Sequence, residues 1–203
     1  KVMRAMFWLG VLIWAALAAP APAQPDAPAF SDIVDAAEHR PGVFDLYVDE
    51  ERGAVYAAFA PDPAGHYGRY IHTARLTAGL GSNPVGLDRG FGIGGRILRI
   101  ERAGPRVMFI LENHAFRALG ADAEEDLATR QSFAESVVWA GDAAATAGDG
   151  RMLVDLSGFL TSDPINLTGR LRAAGEGDFS IDPERSAPMF DQALAFPRNV
   201  EID

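Results

Sequence analysis

Residues 80–95 read Leu80-Gly81-Ser82-Asn83-Pro84-Val85-Gly86-Leu87-Asp88-Arg89-Gly90-Phe91-Gly92-Ile93-Gly94-Gly95. This segment is rich in glycine and turn-forming residues, yet it also carries large apolar side chains. Glycine permits positive φ and close approach of two backbones, and an Asn-Pro pair starts turns. Leu80, Val85 and Leu87 can anchor the segment to a core. Because strand-like sequence flanks it on both sides, we predict a compact, ordered loop that packs on a sheet or against another domain.

The flanking sequence predicts mostly β-strands. Phe44, Leu46 and Val48 alternate with polar residues, as in a strand with one buried face. The continuous apolar run from Met108 to Leu111 is typical of a central strand that is covered on both faces. A turn at Ala103-Gly104-Pro105 joins that strand to the preceding one in a hairpin. Strands are predicted at residues 44–49, 54–60, 69–77, 96–102, 106–113, 137–139, 151–156, 179–181 and 200–203.

Two segments predict helices. Asp122 with Glu125 resembles a capping box, and the acidic residues that follow Asp122 suit the first turn of a helix. We expect a helix over residues 123–136 and a second over 163–173, with a short helical turn near 33–38. The fold class is therefore α+β: a mainly antiparallel sheet with about two helices, after an N-terminal signal peptide.

The N-terminal residues predict that signal peptide. Lys1 and Arg4 form a basic start, residues 6–19 are apolar, and Ala21-Pro22-Ala23 resembles a cleavage site. An uncleaved membrane anchor is the alternative. The predicted organisation is a signal peptide at 1–23, a flexible lead at 24–40 and a β-rich domain at 41–203. No later apolar run approaches the ~20 residues that span a membrane, so we expect no stable membrane span.

The composition limits the classes of function. The formal net charge is −10 and would become −12 after removal of Lys1 and Arg4. Such an acidic protein repels phosphate backbones, so we expect no nucleic-acid partner. The absence of cysteine excludes disulfides, a thiolate nucleophile and Cys-ligated zinc. It is compatible with export to the periplasm or the exterior, where a chain of this size can fold without disulfides.

The segment Gly79-Leu80-Gly81-Ser82-Asn83-Pro84-Val85-Gly86-Leu87-Asp88-Arg89 resembles the signature of one bacterial family, the secreted zinc-dependent metalloproteases of metzincin type. These proteins carry a β-rich N-terminal domain of unknown function ahead of their zinc domain. Other segments resemble the same domain in the same order, namely residues 41–47, 102–107, 132–139 and 195–199. We call residues 79–89 the signature loop. Its distinguishing positions are Gly79, Gly81, Ser82, Asn83, Gly86, Asp88 and Arg89.

The resemblance implies that a zinc catalytic domain follows in the complete protein and hydrolyses peptide or protein substrates. An alternating pattern begins at Val200 and stops at Asp203, which also suggests that the β-rich domain is truncated at its C-terminal end. The residues present here would then form a non-catalytic scaffold whose partner is the downstream domain. Zinc is implied for the full-length protein, and no cofactor is expected within these residues.

The histidines do not form a zinc-protease site. Such a site needs His-Glu-x-x-His, which places two histidines on one face of a helix. His39, His66, His72 and His114 include no pair four residues apart. Glu112 and His114 share a strand face and, with Asp88, are the candidate metal ligands. The interpretation that we prefer is a strand-end histidine beside an exposed carboxylate. His72 lies on an apolar face and is predicted to be a satisfied core or interface histidine. We therefore expect no catalytic residue here.

Two further motifs have structural interpretations. Gly90-Phe91-Gly92-Ile93-Gly94-Gly95 matches G-x-G-x-x-G, but a strand rather than a helix follows it, which excludes the dinucleotide-binding arrangement. Asp88 and Arg89 point to opposite sides of an extended backbone. We expect Asp88 to accept backbone N–H groups and Arg89 to donate to carbonyls or a distant carboxylate, rather than to clamp a substrate.

Three functional hypotheses remain. The first is the scaffold region of an exported zinc metalloprotease. The second is a stand-alone periplasmic binding or interaction module, which fits the lack of a catalytic constellation. The third is a propeptide-like intramolecular inhibitor, in which a carboxylate or His114 caps the zinc of another domain.

Overall fold

A computed structural model of the chain describes residues 28–81, 85–118 and 122–203. The predicted signal peptide lies outside these residues. The helices are α1 (Phe30–Val34), α2 (Ala123–Ser132), α3 (Ser157–Leu160) and α4 (Leu167–Ala173). The strands are β1 (Glu38–Arg40), β2 (Asp45–Asp49), β3 (Ala54–Phe59), β4 (Arg69–Arg75), β5 (Gly92–Ala103), β6 (Arg106–Leu111), β7 (Ser136–Thr146), β8 (Met152–Asp155), β9 (Leu194–Ala195) and β10 (Val200–Glu201).

Eight strands form one sheet in the order β1-β2-β3-β8-β7-β6-β5-β4, and all neighbouring pairs are antiparallel. Strands β9 and β10 pair separately. The α+β class predicted from the sequence is confirmed. Helix α1 overlaps the short helical turn predicted near 33–38, whereas the short helix α3 was not predicted.

The sheet curls so that its two halves share one core. The ring of Tyr70 on β4 lies 5.2 Å from the ring of Phe44, just before β2, although β4 and β2 are far apart in the strand order. Register shifts within the β4–β5, β6–β7 and β7–β8 pairs bend the strands at these points. The concave face holds the larger core, which includes Leu46, Phe59, Leu98, Ile100, Val107, Phe109, Met152 and Val154.

Helix α1 covers part of the opposite, convex face. Its Ile33 is buried in a second core with Tyr47, Tyr56 and Leu153, which lie on β2, β3 and β8. Strands β2 and β3 are consequently buried on both faces, so the prediction of one exposed face for residues 44–49 was wrong. The folded part also begins before Pro41, because α1 and β1 lie within the predicted flexible lead.

The hairpins follow the sequence prediction closely. The turn between β2 and β3 contains Gly53 at φ 69°, and the two-residue turn between β5 and β6 contains Gly104 at φ 63°. Strand β6 lies inside the sheet with partners on both sides, as its apolar run predicted. Strands β4 and β8 also occur close to where the pattern placed them, whereas β7 extends beyond the predicted residues 137–139 to Thr146 and β5 begins at Gly92, inside the segment predicted as loop.

Three further predicted elements differ from the structure. Helix α2 begins after its cap Asp122, as predicted, but it ends at Ser132 because the following residues pair with β6 from Ser136 onward. Helix α4 is shorter than residues 163–173, since Asp163 accepts bonds from the N–H groups of Leu167 and Thr168 at its start. Residues 179–181 form no strand; Phe179 and Ile181 are exposed.

The burial of Ile33 gives a test of the early start of the fold. We expect Ile33→Ala to lower the free energy of unfolding by about 2–4 kcal/mol, because it leaves a cavity beneath α1. Urea unfolding at neutral pH measures this value. The control Ser31→Ala, on the exposed side of the same helix, should change it by less than about 0.5 kcal/mol. Equal, small effects of the two substitutions would contradict the packing of α1 on the sheet.

Candidate functional site

The signature loop continues the hairpin between β4 and β5. The N–H of Leu76 donates to the carbonyl of Phe91 at 2.8 Å, and the N–H of Leu80 donates to that of Leu87 at 2.9 Å. Leu87 is fully buried, as the predicted anchoring requires, and Val85 is half-buried, whereas Leu80 is 58% exposed and does not anchor the loop. The described part of the loop is therefore ordered by backbone pairing and one apolar anchor. Ser82, Asn83 and Pro84 lie outside the described residues.

Two glycines are required by close backbone contacts. A Cβ at Gly79 would lie 2.6 Å from the backbone nitrogen of Arg89, and a Cβ at Gly92 would lie 2.0 Å from the carbonyl oxygen of Ala74. Both distances are shorter than real Cβ contacts, so no other residue fits without a shift of the backbone. The close packing predicted for this glycine-rich segment is thus present at Gly79 and at Gly92.

Asp88 and Arg89 are exposed. The carbonyl of Asp88 accepts a bond from the N–H of Phe91 at 2.9 Å. Neither side chain makes a hydrogen bond or ion pair with another described residue. The loop-fixing roles expected for these two side chains therefore stay predictions.

A cluster of charged side chains surrounds Glu112, which directly follows β6. Arg69 donates to both carboxylate oxygens, with Nε 2.7 Å from Oε1. The Nε2 atom of His114 lies 2.6 Å from Oε2, and the Nε atom of Arg99 lies 3.4 Å from Oε1. Arg99 also pairs with Glu101 and Glu135. We call Arg69, Arg99, Glu112, His114 and Glu135 the charged cluster.

The carboxylate of Glu112 is a structural ion-pair centre rather than a free ligand. The residue is only 8% exposed, so the expectation of an exposed carboxylate was wrong. Hydrogen bonding from Arg69, and then from His114, lowers the pKa of Glu112 against the opposing effect of burial. A metal ion would have to displace these donors. Within the described ranges, no three His, Asp or Glu residues are grouped so that they would hold a metal, and Asp88 does not join Glu112 and His114.

The concave face contains an apolar groove of about 580 Å³, which the sequence did not predict. Its base includes Phe59, Leu98 and Phe109 from the main core. Residues 69–73 of β4 and residues 198–200 with Ile202 also line it. We call this space the concave groove. A smaller hollow of about 160 Å³ lies beside it, lined by His72, Phe159 and Asp163 among others.

His72 lines both spaces, on the apolar face where the sequence placed it. Its ring centroid lies 5.7 Å from that of Phe159. The Nδ1 atom is buried and has no hydrogen-bond partner among the described residues, so the expectation of a satisfied histidine is not met there. Burial lowers the pKa of His72, which favours the neutral ring at neutral pH.

Comparison with known proteins gives no relative: no protein family, curated protein or solved structure matches the chain. Among the described helices, none has the length and apolar character needed to cross a membrane. A function must therefore be inferred from three features of the described residues: a loop constrained by glycines, an ion-pair cluster around a buried carboxylate, and an apolar groove.

We expect different effects from two glutamates that both pair with Arg99, namely Glu112 of the charged cluster and Glu101 outside it. We expect Glu112→Gln to lower the free energy of unfolding at pH 7 by about 1–3 kcal/mol, because charge-assisted bonds to a buried carboxylate are lost. The matched control Glu101→Gln also removes a carboxylate bound to Arg99, but one that is substantially exposed, and should cost less than about 1 kcal/mol. Urea unfolding checks both values. A larger effect at Glu101 would contradict the assigned roles.

The lowered pKa of Glu112 predicts how this difference varies with pH. The ionised carboxylate stabilises the folded chain above its ordinary pKa of 4.5, and this contribution is lost as the pH falls through the lower pKa of the folded state. The stability gap between the wild type and Glu112→Gln should be full at pH 6–7 and shrink below about pH 4.5. Unfolding curves at a series of pH values measure the gap. A gap that is constant from pH 7 to pH 3 would refute the lowered pKa.

Proposed function

We propose that this chain is the N-terminal, non-catalytic scaffold region of an exported bacterial zinc-dependent metalloprotease. The observation that carries the proposal is the resemblance of the signature loop to that family. Its described part is an ordered extension of a hairpin, with a glycine required at Gly79 by the backbone of Asp88 and Arg89. A segment under such constraints is costly to vary, which supports reading the match as more than a chance similarity in composition.

The chemistry in this proposal belongs to a downstream domain. The sequence holds no His-Glu-x-x-His motif, and Glu112 with His114 is engaged in the charged cluster. Zinc would therefore be bound by the downstream domain, where a zinc-activated water attacks the peptide bond. Export to the periplasm or the exterior is part of the same proposal and rests on residues 1–23.

The scaffold role is supported by the concave groove and by a group of exposed apolar side chains near strands β9 and β10. Val43, Leu194 and Phe196 are large apolar residues that remain substantially exposed near the β9–β10 segment. Val43 is tied to this segment, because its N–H donates to the carbonyl of Phe196 at 2.8 Å. Exposed apolar side chains that are grouped in this way are typical of surfaces that contact another protein unit.

A stand-alone binding module is the second candidate function, and the concave groove favours it. Its volume lies within the ~300–1,000 Å³ that ligand sites commonly occupy. The propeptide-like inhibitor gains no such support, since Glu112 and His114 would have to leave their mutual contact before either capped a zinc ion in another domain.

The complete reading frame that contains this sequence provides the test. We expect it to encode His-Glu-x-x-His downstream of Asp203, and the purified product to contain one zinc ion per chain and to cleave a quenched fluorescent peptide. Changing the glutamate of that motif to glutamine should abolish cleavage, whereas His114→Ala in this region should preserve zinc content. Metal analysis and the peptide assay measure both. A frame without the motif, or zinc bound stoichiometrically by residues 28–203, would overturn the proposal.

A further inference from the structure

The concave groove runs along the free edge of β4. Five consecutive residues, Arg69 to Thr73, all line it. Successive side chains of a strand point to opposite faces, so an unbroken row of lining residues means that the edge of the strand itself borders the groove. β4 is the last strand in the sheet order, and no other described strand pairs with its outer side. Its outward N–H and C=O groups are therefore available to a further strand.

The remainder of the groove accepts apolar side chains. Its base is formed by core residues, including Phe59, Ile100 and Phe109, and Phe44 with Val200 and Ile202 contributes to the lining away from β4. A strand added to the β4 edge would direct alternate side chains into this apolar space and the others toward solvent. The shape and lining thus fit an extended peptide with apolar residues at every second position.

The charged side chains that line the groove are basic, although the chain as a whole is acidic. The chain carries a formal charge of −10, but the residues that line the groove include no carboxylate. Arg198 lines it, Arg75 ends β4, and Arg96 lies opposite His72 on β5. None of these three arginines forms an ion pair with a described carboxylate, whereas Arg69 is held by Glu112. An acidic occupant is therefore the complementary one.

We propose that the concave groove binds an extended, acidic peptide segment of a partner polypeptide as a strand added to the free edge of β4. Apolar residues of the segment alternate with acidic ones: the apolar side chains enter the groove, and the acidic ones point to the opposite face, on the side of Arg75. Arg96 and Arg198 attract the acidic segment over a longer range. Backbone hydrogen bonds supply affinity and the alternating side chains supply specificity in this mode of recognition. The inference does not depend on a downstream zinc domain.

Residues 200–203 show the same alternation beside the groove. Val200 and Ile202 line the groove, whereas Glu201 and Asp203 are exposed. An alternation of apolar and acidic residues is thus compatible with the arginines and core side chains that surround the groove. The proposed peptide repeats that chemistry along the unpaired side of β4.

A labelled peptide tests the proposal directly. The probe is a fluorescein-labelled octapeptide of alternating valine and glutamate, titrated with the full chain and followed by fluorescence anisotropy. We expect saturable binding that weakens as salt is raised. Three control peptides have the valines grouped together, lysine in place of glutamate, or alternate backbone amides N-methylated. All three should bind at least about tenfold more weakly, because they lack the alternation, the charge or the edge hydrogen bonds.

Charge-reversal variants locate the site. Arg198→Glu and Arg75→Glu should each weaken binding by about threefold to tenfold, whereas Arg117→Glu, an exposed arginine that does not line the groove, should leave it unchanged. The amide signals of residues 69–75 should shift on titration of the wild-type chain in a nuclear magnetic resonance experiment. These substitutions lie at exposed positions, so far-ultraviolet circular dichroism should confirm an unchanged fold.

Several results would overturn the proposal. These are the absence of peptide binding up to about 1 mM, equal binding of the N-methylated peptide, or equal weakening by Arg117→Glu and Arg198→Glu. Saturable binding of dodecanoate without binding of the peptide would show that the groove takes a small amphiphile instead. Failure of any of these tests leaves the zinc-protease proposal untouched, because that proposal is decided by the downstream sequence and its zinc content.

Discussion

The curl of a single antiparallel sheet is the constraint on which the rest of this structure depends. Strands twist with a fixed hand, and the bulges in β4–β5, β6–β7 and β7–β8 add local bends. The concave face must then be filled from within, and aromatic side chains do this across long sequence distances. Phe59, Phe109 and Trp139 form a chain of ring contacts at 5.0–6.2 Å between strands from both halves of the sheet. The groove is the part of this concave space that they leave open.

Local features of the fold were predictable because they are encoded by neighbouring residues. Gly104 in its two-residue turn, Asp122 at the cap of α2 and the apolar run of β6 each act within a few positions of the chain. The covering of β2 by α1 was not predictable in this way. Ile33 meets Tyr56 and Leu153 only after the sheet has assembled, so the alternation of residues 44–49 suggested a solvent face that does not exist.

The same distinction between local and long-range contacts explains which features of the candidate site could be predicted from the sequence. Glu112 and His114 were recognised as neighbours, because a strand places residues two apart on one face. Their role was decided by Arg69, which is 43 positions away and meets Glu112 only through the pairing of β4 with β5 and of β5 with β6. A buried carboxylate without such a donor would be very costly. The sequence analysis did not recognise that Arg69 and Arg99 occupy directly paired positions on β4 and β5, which would have indicated a partner for Glu112.

The two ends of the sheet are protected differently, and this contrast bears on function. β1 is three residues long and consists of Glu38, His39 and Arg40, with Arg40 bonded to Glu38 and to the carbonyl of Ala193 at 2.8 Å. A short, charged edge that is covered by side-chain contacts discourages a further strand. β4 is seven residues long, carries Ile71 at 74% exposure and borders an apolar groove. Natural sheets usually blunt such an edge, because it attracts other chains. An edge of this length, which no described strand covers and which borders an apolar space, is the arrangement that the proposed binding of a further strand requires.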